Sequence, residues 1–126
     1  MIRVLVDTSV WIDYFRGKEG VAALEALIDD NLVCTNDLIL SELVPYLRLQ
    51  KQTRVIGLLE ALERMPLGID WQEIIEMQVK CLRSGANGIG IPDLIIAQNA
   101  KAHGCAVYSL DRHFGLMNRV LKLDTF

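Results

Sequence analysis

The chain is poor in the residues on which small secreted or disordered proteins depend: its 126 residues include three cysteines, three prolines and nine glycines. Cys34, Cys81 and Cys105 are odd in number, widely spaced and in no CxxC pair. That excludes a disulfide framework and a zinc ribbon, and predicts buried free thiols in a reducing compartment. With 52% hydrophobic and 23% charged residues, the chain can bury enough apolar surface to fold without disulfides, which excludes disorder. No apolar run is long enough to span a bilayer. The N-terminus enters Ile2-Arg3-Val4-Leu5-Val6 and then Asp7 with no charged leader or cleavage site. A cytoplasmic protein with no membrane contact is therefore expected. At 14.2 kDa, residues 1–126 are expected to form one domain. A basic surface is missing as well. The net charge of −3 argues against nucleic acid, since phosphate is normally met by Lys and Arg. The objection weakens if several acids are gathered around divalent ions, which leaves the remaining surface slightly positive.

Hydrophobic periodicity alternates between strand and helix. Ile2 to Val6 is an apolar, β-branched run suited to a strand buried on both faces. A short helix should follow from Ser9 to about Arg16, and a second through Val21, Leu24, Leu27 and Ile28. Leu32-Val33-Cys34 suits a short strand, and Asn36 or Asp37 can cap a helix over about Asp37 to Leu49, with Pro45 predicting a kink. Val55 to Leu62 gives another helix, Leu67 to Ile69 a brief strand, and Trp71 to Arg83 a further helix. Gly85, Gly88 and Gly90 mark a loop. Because that loop follows a helix rather than a strand, it lacks the setting of a dinucleotide-binding turn. Pro92 suits the first turn of a helix that ends at His103-Gly104. Ala106 to Leu110 reads as a second buried strand, followed by a helical turn through Phe114 and Met117 and an edge strand over Val120 to Leu123. This alternation predicts an α/β domain, three layers of α/β/α with a central, mostly parallel sheet.

Asp7 and Asp111 each follow a predicted buried strand, so both carboxylates should emerge at the C-terminal rim where such sheets place their sites. Asp93 opens a helix bordering the same rim. Glu42 lies in a helix about 130° from the centre of its apolar face, counting by helical periodicity, and faces either bulk water or a polar cleft. Taken singly, each has a plainer reading: Asp7-Thr8-Ser9 as a helix cap, Asp93 as a helix-dipole partner, Asp111 as a turn residue and Glu42 as surface. Taken together, gathered carboxylates repel and need a cation among them. Hard oxygen ligands select magnesium, with manganese able to substitute, and such ions assist phosphodiester hydrolysis. His103 is expected at a helix C-cap. His113, two residues past Asp111, is a candidate for approaching the site.

Four segments together resemble the PIN-domain family: Val4-Leu5-Val6-Asp7-Thr8-Ser9, Leu40-Ser41-Glu42-Leu43, Pro92-Asp93-Leu94-Ile95-Ile96-Ala97 and Ser109-Leu110-Asp111-Arg112-His113-Phe114. In length and short connections the chain is most similar to the VapC-type toxins of toxin–antitoxin pairs. The resemblance implies a magnesium-dependent endoribonuclease acting on RNA, held in check by a cognate antitoxin protein, and a homodimer. It implies that Asp7, Glu42, Asp93 and Asp111 are the catalytic and metal-holding quartet. Asp7 and Asp93 would be principal ligands, Asp111 would complete the cluster, and Glu42 would orient water or hold a second ion. Thr8, Ser9, Arg112 and His113 would be candidates for touching substrate, and an antitoxin tail would lie near the helices bearing Glu42 and Leu58-Leu59. The chain departs from the family at His113, where a second acid is common, and at Ser109, where threonine is commoner.

An aspartyl-phosphate phosphatase needs another Asp where Ser9 stands, and a phospho-receiver needs paired acids that are missing here. The remaining alternative is a catalytically silent PIN-like module that binds RNA or protein.

Overall fold

In a computed structural model, residues 2–126 are described. They form β1 (Val4–Val6), α1 (Thr8–Phe15), a 3-10 turn (Glu19–Val21), α2 (Ala23–Asp29), β2 (Val33–Thr35), α3 (Asp37–Leu49) and α4 (Thr53–Glu60). These are followed by β3 (Glu63–Arg64), α5 (Trp71–Arg83), α6 (Ile91–Ala102), β4 (Ala106–Tyr108) and α7 (Arg112–Leu121). The strands make one parallel sheet in the order β3-β2-β1-β4. It is flanked by seven helices among the described residues, the three-layer arrangement that the alternation predicts. None of the described helices is long and apolar enough to cross a membrane.

Every residue of β1, β2 and β4 is buried. That is why these strands are continuous apolar runs rather than alternating ones: both faces of a parallel sheet are covered. Leu5, Val6 and Cys34 lie at its centre with no more than trace exposure, among the side chains of Val10, Leu24, Leu43, Leu94 and Ile96. Right-handed crossovers put α1 to α4, which connect β1, β2 and β3, on one face and α5 and α6, which connect β3 to β4, on the other. Helix contacts follow that division, with α3 against α1 and α4, and α5 against α6 and α7.

Several local features depart from sequence expectation. The third strand is Glu63–Arg64, paired with Cys34 and Thr35, and not Leu67 to Ile69. After Met65 donates to the Thr35 carbonyl, Pro66 has no N–H with which to extend the ladder. The C-terminal edge strand is also displaced. Phe114, Met117 and Leu121 are all buried, a helical spacing that carries α7 through Leu121 until Lys122 at φ +55° stops it. Only an isolated parallel bridge from Thr125 to Val107 follows. By contrast, α3 has the expected span of Asp37–Leu49 and runs through Pro45. The helix forgoes one backbone bond there and keeps Leu43 and Leu47 buried on either side.

Candidate metal centre

The strand order places the site. The chain moves outward from β1 to β2 to β3 and then returns to add β4 on the other side of β1. The two crossovers diverge at the C-terminal ends of β1 and β4, leaving the crevice that open α/β sheets use for ligands. Val6 is in register with Tyr108 there, and the Asp7 N–H donates to the Tyr108 carbonyl at 2.9 Å.

Asp7 is only 7% exposed. One of its oxygens, Oδ2, accepts from Ser109 Oγ at 2.8 Å and from Ser9 Oγ at 3.0 Å. Each serine also accepts a backbone N–H, Ser109 from Asp111 and Ser9 from Leu110, both at 3.0 Å. This double clamp sews the end of β1 to the segment after β4 and leaves Asp7 Oδ1 for other partners. It also ends β4 at Tyr108, two residues sooner than the apolar run suggests. Ser109 was legible in the sequence only as a motif position; nothing in the periodicity indicates that its hydroxyl is bonded to a residue 102 positions away.

Asp111 is the N-cap of α7, its Oδ1 accepting the His113 N–H at 2.9 Å. Asp111, read alone from the sequence as a turn residue, is thus a helix cap. For Asp7, the N-cap of α1, no side-chain cap bond is made, because its carboxylate is held by the serines. Asp93 stands in the first turn of α6, after Pro92. Asp93, Asp111 and His113 each offer one ligand atom within a group spanning no more than 4.8 Å. Glu42 lies outside that tight group, an exposed residue of α3 whose Oε1 accepts from Thr8 Oγ1 at 3.3 Å. Buried Asn36 caps α3 by accepting the Ile39 N–H at 2.8 Å and donates to Asn99 Oδ1 at 3.0 Å. The helix bearing Glu42 is thereby fixed to α6, which carries Asp93. Arg112 is exposed at the start of α7. His103 is the C-cap of α6, its ring against the Pro66 carbonyl.

The charges act on one another. Burial, followed by the neighbouring charges of Asp111 and Asp7, pushes the Asp93 carboxyl above its ordinary range, against a smaller pull from His113. Burial and Asp7 push Glu42 up in the same way, while the Thr8 hydrogen bond opposes. Among the described residues no Lys or Arg pairs with any of the four acids; the ion pairs of the chain lie elsewhere, apart from the two made by His113. Asp93 and Asp111 within a few ångströms of each other, the clamped Asp7 outside that tight group but acting on Asp93 by its charge, and no fixed cation make a donor set that suits a hard divalent ion.

The parallel sheet and an acid cluster at its switch point define a class of small α/β domains with a carboxylate-lined crevice. Within that class the chain belongs to the PIN domain family, whose model matches residues 4–120. It is similar in fold to a chain of the Rickettsia felis VapBC2 assembly bound to a fragment of promoter DNA, with TM-score 0.76, 21% identity, and 100% of this chain and 98% of that chain covered. A chain of the DNA-bound VapBC assembly of Salmonella typhimurium gives 0.74, at 16% identity over 100% and 98%. A chain of FitAcB from Neisseria gonorrhoeae gives 0.68, at 21% identity over 98% and 96%. No curated protein matches the chain in sequence.

Proposed function

We propose that the chain is a magnesium-dependent endoribonuclease that hydrolyses RNA phosphodiester bonds, the VapC-type toxin of a toxin–antitoxin pair. The observation that carries this reading is the grouping of Asp7, Glu42, Asp93 and Asp111 at one crevice of a PIN-family chain, where burial and the neighbouring carboxylates raise the proton affinity of Asp93 and Glu42 with no Lys or Arg paired to them. Similarity in fold to chains of toxin–antitoxin assemblies supports the biological role. On this reading residues 1–126 are one nuclease domain, and its partners are RNA, a cognate antitoxin and a second copy of itself. Manganese can substitute for magnesium.

Asp7, Asp93 and Asp111 would hold the ion. When bound, it supplies activation of water and neutralisation of charge on the leaving oxygen. Ser9 and Ser109 fix Asp7 through Oδ2 and leave Oδ1 without a side-chain hydrogen bond among the described residues. Glu42, oriented by Thr8, takes or directs the proton of the attacking water, and its raised proton affinity suits that task. Arg112, exposed beside the site, is placed to meet backbone phosphate.

The test is cleavage of a mixed RNA pool by purified, antitoxin-free protein with magnesium, manganese or chelator, beside Asp93→Asn. Metal-dependent cutting that the variant loses is the expected result. A folded, metal-binding protein that retains RNA affinity and never cuts would instead be a silent binding module.

A further inference from the structure

The corner of the crevice between α6 and α7 holds a group that an all-carboxylate centre lacks. His113 Nδ1 lies 3.5 Å from Asp93 Oδ2 and 3.2 Å from Asp111 Oδ1. Among the described residues no hydrogen bond joins the ring to either carboxylate; it is the His113 backbone N–H that Asp111 accepts. Two ligands at about 2.1 Å from a common ion stand roughly 3.0 Å apart when they subtend a right angle and roughly 3.4 Å apart in a tetrahedron. The observed separations fall in that range, which they share with a direct ion pair, and all three ligand atoms lie within 4.8 Å of one another. The ring is also confined on its other side. Its Nε2 lies 3.6 Å from where a Cβ would stand on Gly88, whose φ of +83° favours glycine. The glycine loop thus comes close enough to flank the imidazole while Nδ1 stays toward the acids.

We propose that His113 is itself a metal ligand, joining Asp93 and Asp111 through Nδ1, so that this corner prefers a first-row transition ion such as manganese or cobalt to magnesium. The inference rests on the reading of the acids as a metal site. A neutral imidazole in place of a third carboxylate removes a negative charge, which weakens the hold on strongly hydrated magnesium, while nitrogen donors favour the later transition ions. Asp7 and Glu42, which fall outside this tight group, keep the all-oxygen environment that suits magnesium. The crevice then offers two unequal positions rather than one.

The chain has two histidines, which makes the test direct. His103 sits at the opposite end of α6 from Asp93, roughly 15 Å away at 1.5 Å per residue, and cannot reach the same ion. Tag-free protein loaded with manganese is examined by electron spin echo envelope modulation, which detects directly bound nitrogen without reference to activity. Nitrogen modulation is expected in the wild type and in His103→Gln, and its loss in His113→Gln, with manganese affinity lowered roughly tenfold or more. His113→Asp should restore binding and shift the preference toward magnesium in competition titrations. Circular dichroism of each variant establishes that it is folded. Manganese bound to wild type without nitrogen modulation overturns the role of His113 and leaves the carboxylate site standing; failure of the folded wild type to bind manganese at all overturns both.

Discussion

At the scale of single residues, the crevice depends on neutral hydroxyls as much as on its acids. Ser109 donates to Asp7 and accepts from the Asp111 amide, so Ser109→Ala removes the restraint on two proposed ligands at once. Loss of such a supporting bond typically lowers metal affinity or activity by about 10- to 100-fold and stability by about 1 kcal/mol. Ser109→Thr, which keeps the hydroxyl, should restore most of both, as titration of manganese and RNA cleavage would show. The acids themselves give a pH signature. Asp93 and Glu42 have raised proton affinities in the fold, Asp93 through burial and then Asp111 and Asp7, Glu42 through burial and then Asp7. A carboxyl that binds its proton more tightly folded than unfolded stabilises the fold below its unfolded pKa of about 4, and that contribution is lost as pH rises through its higher folded value. The Tm of metal-free protein should therefore fall over that window more steeply for wild type than for Asp93→Asn, which cannot ionise there. Melting curves at a series of pH values decide it: parallel curves for the two proteins would mean that Asp93 carries no such strain.

Helices and strands show which parts of the site are rigidly built. Asn36 is fully buried and ties the first turn of α3 to Asn99 of α6, the two helices that carry Glu42 and Asp93. Asn36→Ala removes a cap and leaves the Ile39 N–H and Asn99 Oδ1 without their partners, a loss of about 2–3 kcal/mol. Urea denaturation should read this as a lower midpoint with unchanged slope. If Glu42 is positioned through this cap, cleavage falls even where the variant is fully folded. Elements of this kind were legible in the sequence wherever a strong signal coincided with burial. The bounds of α3 and α5 follow from their periodicity and N-caps, β1 from its apolar run and α6 from Pro92. The misreadings occurred at the sheet's edges, where pairing rather than composition decides. Glu63–Arg64 is an exposed two-residue strand with no apolar signature, and Val120 is captured by the helix that Phe114, Met117 and Leu121 anchor. In the crevice, acids at strand ends and helix starts could be anticipated from topology. The bonds from Ser9 and Ser109 to Asp7, and the cross-link from Asn36 to Asn99, could not, because they join residues far apart in sequence whose hydrogen-bonding capacity is common to any serine or asparagine.

For the molecule as a whole, the proposed antitoxin and second copy each need a surface, and the chain carries two apolar ones on opposite sides of its sheet. Tyr46 and Leu49 on α3 and Leu58 on α4 are 39%, 85% and 64% exposed. Trp71, Ile75 and Leu82 on α5 are 58%, 55% and 56% exposed, and their spacing of four and seven residues puts them on one stripe. A standard interface covers about 800 Å² per partner, a small part of the 7381 Å² surface, so both can be occupied at once. The α3–α4 face adjoins Glu42, so a helix laid there would also obstruct the crevice, as inhibition requires. The stripe on α5 lies on the far side of the sheet, where pairing of two copies leaves the acids open. Leu58→Asp should therefore weaken antitoxin binding roughly tenfold or more in calorimetry while light scattering still reports a dimer. Ile75→Glu should yield a monomer that still binds antitoxin. The opposite pattern would exchange the two faces, and if neither variant changed either measurement, these patches would be ordinary exposed surface.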